Sequence, residues 1–509
     1  MRTSLIAFCF LLAACLYGQE SFLHLDRPYY AAGEVSRFQV YLPQPAPGIV
    51  RAEVYAPDGA LVDYFFLRSG GGGTADGYYR WGYDLPTGYY RLRFAALTEQ
   101  QTTVDLGTYP LPVYQVSDRR GDAGAASETT PSAPADDLTV NIADGRVTAS
   151  GLPDGVYSLA VRNREVTGQG SSVRSAAASA GARYVDTLFY GGRLTTPETG
   201  EAIAVNLLPF FDNRTLKTYF SKSDDEGDFL ITLPSFEGEK QVQAYSVKDE
   251  AIDAGLSFPP LEALSTTPPL TEEVLAYLDL SNRRRKIYQL YGGVETPLDA
   301  TPAGEEMKML NPNRDYNVQD YKSFPDMLTF FNEVAGELRV RERRGVQNAQ
   351  LYNAPNQRFF SDTPLFIVDG RLTRDVAYIT SLAPAGVDRL AYYYDNRELR
   401  RDFPALGSYG VVQIDLTGDA GEFPEADAAN ILTIQGVLPE QAFGVTEEDA
   451  PRLSPLLLWQ SGEIDGGTLT VDLPATDDPG AYEVVLVVRD TESGALSVGR
   501  AEVTLTASR

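Results

Sequence analysis

A chain of 509 residues with 43 Lys and Arg against 70 Asp and Glu carries a formal net charge of −27, a balance that repels phosphate backbones and anionic lipid surfaces and so argues against nucleic-acid partners. The length exceeds what one hydrophobic core accommodates, and 45 Gly with 32 Pro call for many turns, which together point to a mainly β, multidomain chain. Its 2 cysteines, Cys9 and Cys15, both lie in the leader, so no disulfide can staple the remainder and each domain must hold by packing.

Residues 1–18 read as a secretory signal peptide: Arg2, then an apolar stretch from Leu5 to Ala14, then small residues. That stretch is shorter than the roughly 20 residues a membrane helix needs, and no later segment approaches the length. Leu12-Ala13-Ala14-Cys15 is similar to a bacterial lipobox, in which Cys15 would become the acylated first residue; a cut after Gly18 is the alternative.

From 19 to 116 the chain alternates as half-buried strands do, with Phe38, Val40 and Leu42 on one face and Tyr90, Leu92 and Phe94 on another, which predicts an antiparallel sandwich. Residues 117–136 lack large apolar side chains and read as a linker. A β segment follows within 137–183, closed by a second small-residue interval, Gly168 to Ala182. Another compact β-sandwich is expected over 184–256.

Around Thr271 the period becomes helical, within a helix and connector region spanning 257–319. Val274, Leu275, Leu278, Ile287 and Leu290 fall near one stripe, Thr271 is placed to cap, and Glu272 and Glu273 sit where a helix dipole favours anions. A second helix is predicted with Pro325 in its first turn, Met327, Leu328, Phe331 and Val334 inward and Gly336 as its stop. It opens a small α+β unit of one helix and several strands over 320–420. Sandwich patterning returns over 421–509, where Tyr482, Val484, Leu486 and Val488 alternate.

The stretch Asp26, Arg27, Pro28, Tyr30, Gly33 and Glu34 resembles the hallmark of the second macroglobulin-like domain of the alpha-2-macroglobulin superfamily, with Ala32 where a Pro is usual. Residues from Tyr190 through the Asp224–Asp228 turn resemble a carboxypeptidase regulatory-like sandwich. Val368, Asp369 and Gly370, with Tyr409, Gly410, Val411 and Val412, resemble the plug domain of TonB-dependent receptors. The C-terminal segment is similar to the terminal sandwich of Bacteroidota envelope proteins that string such modules together. No Cys-Gly-Glu-Gln thioester occurs, and the residues after Gly418 are too few for a 22-stranded barrel, which takes more than about 200. The resemblance therefore implies neither covalent trapping nor a pore.

His24 is the single histidine. A Ser-His or Cys-His nucleophile would have to use it, yet no Gly-x-Ser-x-Gly elbow is present, and one His without available Cys rarely builds a zinc site. Asp224, Asp225, Glu226 and Asp228 have the composition of a Ca2+ loop without EF-hand spacing; an Asp/Gly turn is the stronger reading. Asp26 and Arg27 are expected to fix a turn, and Glu34 to be surface charge or a local ion pair. The basic islands Ser281–Lys286 and Arg339–Gly345 read as solvated segments, with contact to anionic lipid or an acidic partner as the alternative. Tyr392, Tyr393 and Tyr394 are consecutive, so unless both sheet faces are covered one points outward, making them the expected interaction surface.

The expectation is a non-catalytic, exported binding or scaffold protein of the periplasm or outer membrane, without a required cofactor. It would dock non-covalently on another envelope protein. An accessory role in outer-membrane uptake or secretion, and a carboxylate-based hydrolase, are the alternatives.

Overall fold

The structure, a computed structural model, describes residues 19–118, 136–167, 171–179, 183–247, 251–291, 308, 310–321, 324–418, 423–439 and 452–506. The expected leader, Cys15 included, and most of the 117–136 linker lie outside the described residues. Strands dominate, in several sheets. The chain divides into two compact units: one comprises Met1–Thr187, Pro259–Pro302 and Val437–Arg509, the other Leu188–Phe258 and Ala303–Gly436. Among the described residues no helix is long and apolar enough to cross a membrane.

The first unit opens with the predicted sandwich. One sheet runs Val173–Ala178, Gln19–Leu25, Val35–Tyr41, Thr74–Arg80; the facing sheet runs Tyr30–Ala31, Thr103–Tyr114, Gly88–Leu97, Ile49–Tyr55, Leu61–Arg68. Phe38, Val40, Tyr90, Leu92 and Phe94 meet Leu23, Val54 and Trp81 in the core between them. The opposite face of Val35–Tyr41 is buried as well, because Tyr41 packs on Val156, Val173, Val485 and Val487. Alternation had indicated only one covered face.

Of these, Val156, Val485 and Val487 belong to a second sandwich whose centre is the strand Arg146–Asn163. It pairs antiparallel with Leu456–Asp472 along nearly its whole length, from Arg146 opposite Asp472 to Arg162 opposite Leu456. Its first part also takes Val140–Ala143 and its last part Gly480–Asp490. The changeover falls at Gly151, whose φ of 72° breaks the register. The β segment expected in 137–183 and the C-terminal sandwich expected as separate are thus one folded layer. Nothing in either strand's own pattern encodes a partner some 300 residues away in sequence.

The small-residue interval 168–182 also departs from expectation. Its described part includes the edge strand Val173–Ala178, held by Gln19–Leu25 from His24 opposite Val173 to Gln19 opposite Ala178. Edge pairing satisfies backbone groups whatever the side chains, so a run of Ser and Ala serves.

Helix Glu272–Tyr291 packs on the first sandwich. Thr271 caps it through the Val274 amide at 3.2 Å, as predicted. Its buried stripe is Val274, Tyr277, Leu278, Ser281, Arg284 and Tyr288, while Leu290 is 84% exposed. Val274 and Leu278 lie on it as the apolar periodicity predicts, whereas Leu275 and Ile287 are only half-buried and Ser281 and Arg284 take up the inward face instead.

In the second unit the expected regulatory-like region forms a seven-stranded antiparallel sheet in the order Asp253–Leu256, Leu188–Thr195, Asp228–Leu233, Thr218–Ser223, Val205–Asp212, Glu239–Ala244, Ile431–Gln435. The last strand comes from the segment assigned to the C-terminal sandwich, and it pairs from Glu239 opposite Gln435 to Gln243 opposite Ile431.

The α+β part has the five-stranded order Arg314–Asn317, Val387–Tyr393, Val411–Leu416, Leu365–Val368, Arg371–Thr373. Helix Met327–Glu333 is capped by Asp326, which accepts the Thr329 amide at 2.7 Å, and buries Met327, Phe330 and Phe331. The predicted first-turn proline, Pro325, precedes the cap, and the helix ends at Glu333, short of Gly336. Two further helices, Val376–Ser381 and Asn396–Asp402, are capped by Asp375 and Asp395. Each is too short for a periodic signal, and only the capping aspartates mark them. Strands Leu338–Arg343 and Val346–Asn353 form a hairpin, with Arg358–Phe359 added at its edge.

Candidate functional site

The residues Asp26 to Glu34 converge in the first unit on a buried polar cluster. Asp26 Oδ1 accepts from the Tyr30 hydroxyl at 2.6 Å and from the Arg37 amide at 3.0 Å, and its Oδ2 accepts from Arg27 Nε at 3.0 Å. Arg27 reaches onward: Nη1 donates to Tyr277 Oη at 3.0 Å and to Glu34 at 3.4 Å, and Nη2 to the Val35 carbonyl at 2.8 Å. Glu34 in turn accepts from the Ala31 amide at 2.9 Å, from Ser281 Oγ at 2.6 Å, from Arg284 at 3.2 Å and from the Tyr277 hydroxyl. Pro28 takes part through its carbonyl, which accepts from Arg174 at 2.9 Å.

Glu34 is only 4% exposed, which excludes a surface role and leaves the ion pair. Burial alone would raise its pKa, but Arg27 and Arg284 with the Ser281 and Tyr277 hydroxyls outweigh that and hold it below the usual carboxylate range. Burial likewise opposes charge on Arg27; Tyr277, Asp26 and Glu34 overcome it, and its pKa rises. Gly33 turns the chain with φ of 90°, and a Cβ there would lie 2.4 Å from the Tyr83 ring.

The basic island Ser281–Lys286 is therefore partly committed inside the unit. Ser281 and Arg284 engage Glu34, and Arg285 lies over the Tyr83 ring at 4.8 Å while donating to the Ala32 carbonyl. Arg283 and Lys286 are exposed, so the solvated reading holds for these two and fails for Ser281 and Arg284. The cluster locks a helix to a sandwich.

His24, two residues before Asp26, is fully buried with partners of its own. Its Nδ1 lies 2.6 Å from Ser158 Oγ, which lies 2.6 Å from the Tyr41 hydroxyl, and its ring packs on Trp459 at 5.2 Å. Burial, then Arg162 and Arg500, push its pKa down to about 3, so the imidazole is neutral. A Ser-His pair is present, yet both members have no exposed surface.

In the second unit, Val368-Asp369-Gly370 forms a hairpin turn with positive φ at both Asp369 and Gly370 (46° and 81°). Asp369 Oδ1 accepts the Leu416 amide at 2.9 Å, tying the turn to the neighbouring strand. The two stretches that carry the plug resemblance are parallel neighbours, Leu365 opposite Val411 and Val368 opposite Ile414.

The three tyrosines are not a surface. Tyr392 packs among Tyr316, Phe330 and Ile414 on one face of the sheet, and Tyr393 among Phe211, Leu365 and Phe403 on the other. Both faces are covered, so alternation sends each ring into a core. Only Tyr394 is half-buried.

The Asp224–Asp228 cluster is a turn. Asp224 Oδ1 accepts the amides of Glu226 and Asp228 at 3.2 and 2.8 Å, with Gly227 at φ of 80°. Asp224, Asp225, Glu226 and Asp228 are all exposed. Among the described residues no group of three or more His, Cys, Asp or Glu side chains is placed to hold a metal ion. The second basic island is a hairpin whose tip is exposed, while Arg339 at its base lies 3.8 Å over the Phe359 ring.

Two clefts, neither signalled by a motif, occupy the second unit. One, of about 550 Å3, is lined by Tyr245, Asp253, Asp362, Arg374, Asp375 and Asp427 among others. Asp427 is raised by burial and, against a hydrogen bond from Thr373, by the nearby Asp375; Asp375 is occupied in capping the Tyr378 amide at 3.0 Å. The other cleft, of about 540 Å3, lies between the edge strand Arg358–Phe359 and helix Asn396–Asp402, with Leu399, Phe360 and Phe403 in its lining. Such sites are assembled from loops and strand ends distant in sequence, which is why composition alone does not expose them.

No protein-family model and no curated protein matches the chain. Among solved structures it is similar to a Salmonella alpha-2-macroglobulin reacted with methylamine, at 13% identity over 96% of this chain and 40% of that one, with a TM-score of 0.24. It is similar also to an Escherichia coli alpha-2-macroglobulin activated by porcine elastase, at 11% identity over 96% of this chain and 44% of that one, with a TM-score of 0.25. A third structure, a tetra-tandem repeat from the extending region of a large adhesion protein, gives 10% identity over 94% and 97% of the two chains, with a TM-score of 0.14. The chain thus spans less than half the length of these macroglobulins.

Proposed function

We propose that this chain is a non-catalytic scaffold of the bacterial envelope, exported and working by non-covalent docking on another envelope protein. Macroglobulin-like and regulatory-like sandwiches act as spacers, and the plug-like α+β part is presented for contact. Cys15 is the proposed site of a lipid anchor. The observation that carries this reading is the fate of the reactive side chains. Asp26, Arg27 and Glu34 are buried and spend their polar atoms on one another and on neighbouring elements, and His24 is buried with its Nδ1 against Ser158, whereas the α+β part keeps an open cleft.

Crosslinking in intact cells tests the reading: a discrete partner band expected with wild type, and its absence under all crosslinker lengths, would end it. Fatty-acid labelling that persists in Cys15→Ser would remove the anchor. A role as an accessory of outer-membrane uptake or secretion draws on the parallel pairing of the two plug-like stretches. Deletion that leaves both processes intact would retire it. A carboxylate hydrolase would have to work from the acidic cleft around Asp427; a broad ester and glycoside screen that stays blank for wild type disposes of that alternative.

A further inference from the structure

We propose that the cleft between Arg358–Phe359 and helix Asn396–Asp402 is a binding site for an extended acidic peptide segment of a partner protein. This deepens the docking reading above and rests on it.

The first argument is charge. In a protein of net charge −27, the cleft lining contains Arg358 and Arg400 and no Asp or Glu. Both arginines are exposed, and among the described residues neither is engaged in a side-chain hydrogen bond or ion pair. Arg339 adds a third guanidinium nearby, stacked 3.8 Å over the Phe359 ring. Guanidinium groups match carboxylates through paired N–H donors.

The second argument is backbone. Arg358–Phe359 is the outermost strand of its three-stranded sheet, paired on one side only with Tyr352 and Asn353. The Phe360 amide donates to the Leu351 carbonyl at 2.9 Å. In an antiparallel ladder the preceding residue then turns its N–H and C=O the other way, so Phe359, a residue of the cleft lining, offers a donor and an acceptor on the free edge of this sheet. An added strand uses such groups, and neither a lipid headgroup nor a polysaccharide calls for them in this alternation. The two walls are tied by Asn353 Nδ2 donating to Asn396 Oδ1 at 3.3 Å. Gln357 and Ala405, beside and within the lining, hold left-handed φ of 50° and 65°, the kind of backbone strain that gathers at ligand clamps.

The test uses the full chain and a fluorescein-labelled octapeptide alternating Glu and Thr, read by fluorescence anisotropy, with Lys-Thr and Ser-Thr peptides of equal length as controls. The acidic peptide is expected to bind at least about tenfold more tightly than either control, and Arg358→Gln/Arg400→Gln is expected to weaken it by about tenfold or more, the scale of losing one charge-assisted pair. Phe359→Pro, which removes the outward amide, should weaken it comparably. Both arginines are exposed, so an unchanged melting curve establishes that the double variant is folded. Equal binding of all three peptides, or binding indifferent to the arginine pair, overturns the proposal. So does a preference of the site for polygalacturonate or for phosphatidylglycerol vesicles over the peptide. If the double variant still crosslinks its partner in cells at the wild-type level, the cleft assignment falls while the docking reading stands; loss of that crosslink alone supports the assignment.

Discussion

Arg284 donates to Glu34 at 3.2 Å across a sequence separation of 250 residues, joining the long helix to the first turn of the first sandwich. Glu34 also receives Arg27, Ser281 and Tyr277, so removing its charge takes one carboxylate away from two buried guanidinium groups at once, Arg284 and the Arg27 that Asp26 also holds. Glu34→Gln is therefore expected to destabilise the first unit by about 3–5 kcal/mol, the usual penalty for breaking a buried pair from one side. In Glu34→Gln/Arg284→Met the two losses should fall short of their sum. Chemical denaturation followed by tyrosine and tryptophan fluorescence measures both. A surface carboxylate would change stability by no more than about 0.5 kcal/mol, and that result would refute the lock.

The same carboxylate sets an acid limit. Its folded-state pKa lies below the ordinary 4.5, so its contribution is complete above that pH and is lost as pH falls through the lowered value. Thermal melts of wild type between pH 6 and 3 should drop more steeply than those of Glu34→Gln at the low end. Parallel curves would contradict it.

His24 acts over a higher and wider window. Its pKa falls from the ordinary 6.5 to about 3 on folding, so the unfolded chain takes up a proton that the folded chain refuses. Stability from the neutral ring is complete above about pH 6.5 and declines by up to roughly 1.4 kcal/mol per pH unit as pH falls toward the folded value. His24→Phe removes the titration while keeping a ring against Trp459, and its slope between pH 6.5 and 4.5 should be visibly shallower. An unchanged slope would mean the ring is not neutral and buried.

Gly370 is a test of the hairpin. A Cβ at this position would lie 2.0 Å from the Asn213 carbonyl oxygen, and φ is 81°. Gly370→Ala should cost about 1–3 kcal/mol through left-handed strain and overpacking together, while Asp369→Asn, which tolerates φ of 46° and keeps an acceptor for the Leu416 amide, should cost less than about 1 kcal/mol. Equal effects in denaturation would place the strain elsewhere.

Legibility in the sequence followed the range of the interaction. Phe38, Val40, Tyr90, Leu92 and Phe94 were readable as core because alternation is local, and Thr271 as a cap because its bond spans three residues. Strand Arg146–Asn163 was readable as β but its partners Leu456–Asp472 and Gly480–Asp490 were not. The same holds for Ile431–Gln435, which crosses to the sheet of Glu239–Ala244. Of the site, Asp26 and Arg27 carried a motif, yet their purpose needed Tyr277, Ser281 and Arg284, and apolar spacing points to Val274 and Leu278 on that helix but not to the polar residues that continue its buried face. Arg358 and Arg400 carried no motif at all; they matter through the strand edge and cleft that bring them together.

Tyr392 separates a surface role from a core role most sharply. The expectation of an exposed aromatic patch predicts that truncation weakens partner contact and spares stability. Burial predicts the reverse: the ring packs on Tyr316 at a centroid distance of 6.0 Å, and its hydroxyl donates to the Ala335 carbonyl at 3.2 Å. Tyr392→Phe should then cost about 1 kcal/mol for the lost hydrogen bond, and Tyr392→Ala about 3–5 kcal/mol for the cavity left among Tyr316, Phe330 and Ile414. Tyr394→Ala, half-buried at the rim, should cost clearly less. Denaturation of the three variants decides between the roles, because only a core residue yields a graded loss from Phe to Ala, and a Tyr392→Ala protein as stable as wild type would return the patch to the surface.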